Sequence, residues 1–95
     1  MIYTCTLNPA IDYKIKLEHL EIGQLNRFDD GQFLVGGKGI NVSIALQKLG
    51  TKSMPIGFLG GLTGYYIQSY VKEHLGLTEA FTFTNALTRV NVKVL

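Results

Sequence analysis

From residue 36 to residue 39 the chain reads Gly-Gly-Lys-Gly, and a helical repeat begins at once. Apolar residues follow at Ile40, Ile44, Ala45, Leu46 and Leu49, with Gly50 just after them. That spacing predicts an amphipathic helix closed by a glycine C-cap. Gln32-Phe33-Leu34-Val35 ahead of it reads as a short strand, so the glycines form a tight strand-to-helix turn. A helix entered this way has to be packed on strands. Two candidates flank it: Ile2–Leu7, β-branched, aromatic-rich and stopped by Asn8-Pro9, and Lys52–Leu59, with Pro55 tolerable near its start. A second helix is predicted after Gly60-Gly61-Leu62-Thr63-Gly64, because Ile67, Val71 and Leu75 lie four apart and Gly76 ends the run. Phe81 and Phe83 alternate with threonines in a third strand. Strand, helix, strand, helix, strand is the order of an α/β core with right-handed crossovers.

Three segments do not fit a sheet buried on both faces. Tyr13, Ile15 and Leu17 alternate with Lys14, Lys16 and Glu18, and Val90, Val92 and Val94 alternate with Asn91 and Lys93. A period of two gives one apolar and one wet face, as in an antiparallel sheet with one side in water. Residues 12–18, 32–35 and 90–95 are therefore expected in a separate small sheet at an edge of the core, with a polar turn over 23–30. The final strand has no closing helix after it. An open strand edge of that kind leads us to expect part of a larger unit.

Composition narrows the function classes. Hydrophobic residues are 46% and charged residues 17%, enough for a core. A chain this short buries only a little over ~60% of its unfolded surface, so its stability alone is marginal. One cysteine, Cys5, and two histidines, His19 and His74, cannot build a disulfide framework or a Cys/His zinc site. Cys5 is expected as a buried small hydrophobe, and His74 as a helix C-terminal residue suited to the dipole. No signal peptide opens the chain and no apolar run approaches the ~18 residues of a membrane span, so a cytoplasmic location is expected. A net charge of +2 is too small to attract nucleic acid in bulk, and Tyr65, Tyr66 and Tyr70 are not interleaved with basic residues.

Chemistry is concentrated at the turns. In Gly36-Gly37-Lys38-Gly39-Ile40-Asn41-Val42, small residues let a ligand approach backbone amides at a helix N-terminus, which attract anions and hydroxyls. Lys38 adds charge, and Asn41 offers both a donor and an acceptor to a polyol. An ordinary glycine-rich turn would read the same. The segment is not a P-loop, since Gln32 and Gly39 stand where glycine and Ser/Thr are needed, and Val42 breaks a dinucleotide fingerprint. Asn8-Pro9-Ala10-Ile11-Asp12 follows the first strand, at the end where open α/β sheets bind ligands. Asp12 there could accept hydrogen bonds from two sugar hydroxyls, although Asp and Pro are also common turn formers. Arg89 opens the last strand, where its fork could hold a phosphate bidentately, and Arg27 is a similar candidate. Isolated arginines are more often solvent-facing.

Together these segments resemble the ribokinase-like carbohydrate kinases, in their phosphofructokinase-B branch. Thr6-Leu7-Asn8-Pro9-Ala10-Ile11-Asp12 looks like the branch's opening signature. Gly36-Gly37-Lys38-Gly39-Ile40-Asn41-Val42-Ser43 looks like its first diagnostic motif. Gly57-Phe58-Leu59-Gly60-Gly61 and Thr88-Arg89-Val90-Asn91-Val92-Lys93 match two further landmarks in the right order, over the full length of the chain.

The resemblance implies an α/β, ribokinase-like three-layer core with a small β-sheet lid, of which only the N-terminal part is present. The core would span roughly 1–11 and 36–87, and the lid roughly 12–35 and 88–95. It implies ATP- and Mg2+-dependent phosphoryl transfer to a phosphorylated ketohexose. Asp12-Tyr13 and the run from Arg89 to Lys93 look more like the kinases of fructose 1-phosphate than those of tagatose 6-phosphate. A non-catalytic sugar-phosphate-binding or dimerising piece is the other alternative. By the same resemblance Asp12 and Asn41 would hold sugar hydroxyls beside the Gly36-Gly37 backbone, while Lys38, Arg89 and Arg27 would neutralise the substrate's phosphate. The lid would also form the contact of a homodimer. The family's catalytic aspartate, anion hole and ATP pocket belong to a downstream motif with no match in these 95 residues.

Overall fold

The computed structural model describes residues 1–28 and 30–94. Asp29, inside the expected polar turn, and Leu95, at the end of the expected last strand, lie outside them. Three strands form the core sheet in the order β1 (Ile2–Thr6), β4 (Ser53–Leu59), β5 (Ala80–Phe83), all parallel. The crossovers are α1 (Lys38–Lys48) and α2 (Gly61–Ser69). Both connections step the same way across the sheet, so right-handed crossovers put both helices on one face. Their apolar stripes meet there: Ile40 of α1, Ile67 of α2, and Leu59, Val71, Leu77 and Ile11 form one buried cluster.

α1 is fastened to the sheet by small hydroxyls. Thr4 of β1, Ser43 of α1 and Ser53 of β4 form a buried chain with oxygen distances of 2.6 and 2.7 Å. Short side chains bring helix and strands close, and each hydroxyl satisfies another, as buried polar groups require.

The second sheet contains the segments with alternating polarity, β2 (Ala10–Ile15), β3 (Gly31–Gly36) and β6 (Arg89–Val94), in the order β3-β2-β6. It is mixed rather than antiparallel: β2 runs antiparallel to β3 and parallel to β6. β6 reaches β2 from the core, after β5, and so arrives in the direction β2 takes on leaving the core. Registration separates the two faces. Ile11, Tyr13, Ile15, Val35, Val90 and Val92 lie on one, and Asp12, Lys14, Arg89, Asn91 and Lys93 on the other. On the apolar face Phe28, Tyr13, Phe33 and Tyr66 follow one another ring to ring, and Tyr66 belongs to α2, so the aromatics tie the second sheet to the core.

Local readings needed correction at several places. Cys5 is exposed, because α1 covers only the Thr4 and Thr6 side of β1 and leaves the Tyr3 and Cys5 side bare. The second helix is not uniform: Tyr70–His74 is a π-helical turn in which the Leu75 amide reaches the Tyr70 carbonyl at 3.0 Å. Ile67 and Val71 are fully buried as their spacing predicts, but the widened turn leaves Leu75 only partly buried. β2 stops at Ile15, two residues short of Leu17, and Gly36 belongs to the end of β3 rather than to the helix entrance.

Candidate functional site

The site is assembled where β1, β2, β3 and β6 meet the start of α1. Gly37 is the N-cap of α1, with φ near 150°, a conformation few residues other than glycine adopt, and it offers no side-chain cap. The strand next door supplies one instead: the Ile40 amide donates to Thr6 Oγ1 at 3.1 Å. This capping requires close contact. A Cβ on Gly39 would lie 2.7 Å from the Cys5 backbone, and one on Gly37 would lie 2.6 Å from the Thr6 side chain. Two of the cluster's glycines are thus needed by the chain's own packing. Among the described residues no hydrogen bond occupies the amides of Lys38 or Gly39, so they remain free at the positive end of the helix. Lys38 and Asn41 are both exposed on the first turns of α1.

Asp12 lies mid-way along β2, half-buried, with its carboxylate turned toward the wet face. Asn91 Nδ2 donates to Asp12 Oδ1 at 3.0 Å, and Lys93 Nζ lies 3.6 Å from Oδ2. The same oxygen, Oδ2, is 3.2 Å from where a Cβ of Gly36 would stand. Gly36 pairs with Ala10, and Ala10 pairs on its other side with Arg89, so these three form one rung across the sheet. Arg89 is held in place by the residue before it. Thr88 Oγ1 accepts from the Gly60 amide at 2.8 Å, its own amide donates to the Gly60 carbonyl at 2.9 Å, and its carbonyl accepts from Thr63 Oγ1 at 2.6 Å. Thr88 therefore clamps the start of β6 to the N-terminus of α2.

Asp12, Gly36 and Arg89 thus lie on neighbouring rungs of the second sheet, and Gly36 runs on through Gly37 into Lys38 at the start of α1. Arg27 is not among them. It lies on the loop that leaves the far end of β2, whose last rung is Ile15 with Gly31, and among the described residues no hydrogen bond or ion pair links it to the others. Alternation placed Lys14, Asn91 and Lys93 on wet faces, but sequence reading did not count them among the site residues. That Asn91 and Lys93 face Asp12 depends on the pairing of β2 with β6, which local pattern does not encode.

The wet face carries Arg89, Lys93 and Lys14 around one carboxylate, next to the open N-terminus of α1. Cations and free amides suit an anionic group, and the carboxylate suits hydroxyls, so the arrangement can hold a polyhydroxylated anion. Among the described residues no three His, Cys, Asp or Glu side chains stand together as metal ligands. The donor set here, one carboxylate among cations, does not fit a divalent metal ion.

The architecture is thus an α/β core with a second, small sheet whose charged face adjoins a glycine-rich helix start. The chain belongs to the pfkB family of carbohydrate kinases, whose sequence profile matches residues 5–94. The 1-phosphofructokinase of Borreliella burgdorferi is 45% identical over 95 residues, covering 100% of this chain and 31% of that protein. The tagatose-6-phosphate kinase of Staphylococcus epidermidis is 35% identical, covering 100% of this chain and 30% of that protein. A crystal structure of a Staphylococcus aureus protein assigned as a phosphofructokinase superposes with a TM-score of 0.93 at 40% identity, covering 100% of this chain and 31% of that one. The chain thus spans about a third of the length of the relatives it matches.

Proposed function

We propose that these residues form the sugar-phosphate-binding part of an ATP-dependent 1-phosphofructokinase, which converts fructose 1-phosphate and ATP to fructose 1,6-bisphosphate and ADP. The observation that carries this reading is the wet face of the lid, where Asp12, Asn91, Lys93 and Arg89 lie beside the Gly36-Gly37 turn. Asp12 and Asn41 take sugar hydroxyls, and the half-buried backbone of Gly36 and Gly37 borders them. Lys38 and Arg89 take the phosphate already on the sugar, with Lys93 and Lys14 adding to the positive field. Arg27 joins them only if its loop closes over the bound sugar. Phosphoryl transfer also needs nucleotide, Mg2+ and hydroxyl positioned together. The described residues supply the acceptor side, and the general base, ATP pocket and Mg2+ ligands belong elsewhere in the enzyme. No helix among the described residues is long and apolar enough to cross a membrane, and a cytoplasmic enzyme is part of the proposal. So is a homodimer through the lid, since Val90, Val92 and Val94 are exposed on its apolar face.

Fructose 1-phosphate is favoured over tagatose 6-phosphate by the higher identity to the 1-phosphofructokinase, 45% against 35%. Coupled ADP release from the full-length protein tests the choice, with fructose 1-phosphate, fructose 6-phosphate and tagatose 6-phosphate as acceptors. We expect the highest kcat/KM for fructose 1-phosphate. A higher value for tagatose 6-phosphate would overturn the assignment in favour of that activity.

A further inference from the structure

Asn91 is out of place by propensity. It stands in a strand between Val90 and Val92, and asparagine is depleted in strands. Its side chain is half-buried and spends its amide on Asp12 Oδ1, a bond of 3.0 Å between residues 79 apart in sequence. The direction of that bond is fixed, because an ionised carboxylate only accepts and asparagine must therefore present its NH2 group.

We infer that Asn91 is a positioning residue for Asp12. Resting on the sugar-binding role proposed above for Asp12, this inference adds what sets that carboxylate's orientation. A lone aspartate on a sheet face rotates about two torsions, and a ligand that needs one orientation has to freeze them as it binds. With Oδ1 tied to Asn91, the carboxylate plane is set before any ligand arrives. Oδ2 then lies on the Gly36 side, toward the start of α1, with the Lys93 ammonium 3.6 Å away. The remaining acceptor positions of both oxygens stay open to hydroxyls. Asn91 thus acts through Asp12 and has no need to touch the sugar.

A double-mutant cycle on the full-length protein tests this. The dissociation constant of fructose 1-phosphate is measured by ligand-observed NMR titration for wild type, Asn91→Ala, Asp12→Ala and the double variant. Since a hydrogen bond to a charged group is worth roughly ten- to a hundredfold, Asn91→Ala should weaken binding about tenfold, and by less than about twofold when Asp12 is already Ala. A merely structural asparagine would cost the same in both backgrounds. If the two factors differ by less than about fivefold, the positioning role is overturned. If Asp12→Ala itself binds like wild type, the sugar-binding role of Asp12 falls and this inference falls with it. If only the cycle fails, the proposed function stands. Should Asn91→Ala melt below the assay temperature, Asn91→Val replaces it in the cycle under the same criterion, because a β-branched residue suits the strand and valine has no donor for Asp12.

Discussion

Arg89 and Asp12 occupy one face of one sheet and ask different things of a ligand. Arg89 sits on the rung with Ala10 and Gly36 and offers a planar fork suited to phosphate, whereas Asp12 offers acceptors suited to hydroxyls. Arg89→Ala should weaken fructose 1-phosphate by roughly ten- to a hundredfold while hardly altering the use of unphosphorylated fructose, which is expected to be poor throughout. Asp12→Ala should weaken both sugars, since both present hydroxyls. Steady-state kinetics of the two variants on the two sugars check this division of labour. Equal losses on both sugars for Arg89→Ala would make the arginine structural. The ion pair between Lys93 and Asp12 needs a different weighting. At 3.6 Å, with the lysine side chain half exposed, it adds no more than about 1 kcal/mol to stability. Its value lies in the charge it places beside the site.

At the scale of elements, the glycine-rich turn joins close packing to an open helix end. Gly39 is required by the closeness of α1 to β1, and that closeness lets Thr6 cap Ile40 while the Lys38 and Gly39 amides stay free. Gly39→Ala would drive a methyl to within 2.7 Å of the Cys5 backbone, where no flexible side-chain end can give way. We expect a loss of about 1–3 kcal/mol from overpacking, read as a lower midpoint in urea with little change in m. The clamp at Thr88 is a second joint of this kind. Thr88→Val keeps the shape, removes the acceptor and leaves the Gly60 amide buried without its partner, at a cost of about 1–3 kcal/mol. Because Arg89 follows directly, the same variant should also raise KM for the sugar phosphate. Equilibrium unfolding and kinetics on one preparation would show both effects or dissociate them.

Taken whole, the chain is spread out for its size. Its radius of gyration is 15.4 Å, against about 12 Å for a compact domain of this length. Its accessible surface is 6689 Å2, where a folded monomer of its mass exposes roughly 5,400 Å2. The excess has an apolar component: Tyr3 and Phe58 stand on the bare face of the core sheet, and Val90 and Val92 are exposed on β6, at the edge of the second sheet. Surfaces of this kind are ordinarily covered by other protein. The 95-residue chain expressed alone is therefore expected to self-associate, to unfold without a sharp cooperative transition, and to release no ADP from ATP with fructose 1-phosphate. Size-exclusion chromatography with light scattering, a thermal melt and a coupled assay check the three outcomes. A monomer with a cooperative melt well above room temperature would contradict the first two.

Local pattern alone determined the kinds of element and the face each residue takes. Ile67 and Val71 are buried as a four-residue spacing requires, and Asp12, Asn91 and Lys93 share the wet face that alternation assigns them. These follow from the periods of helix and strand, which a sequence carries in any short window. Tertiary structure decided what those faces meet. Cys5 lies in an apolar strand yet is exposed, because burial depends on which layer covers which side. Gly37 and Gly39 read as room for a ligand, and packing filled that room with β1. Arg27 reads as equivalent to Arg89, and strand pairing left it at the other end of the lid. The bond from Asn91 to Asp12 could not be read at all, since it depends on the register of two strands 79 residues apart. Pairing of that kind is set by how the whole chain closes on its core, and no local window contains the information.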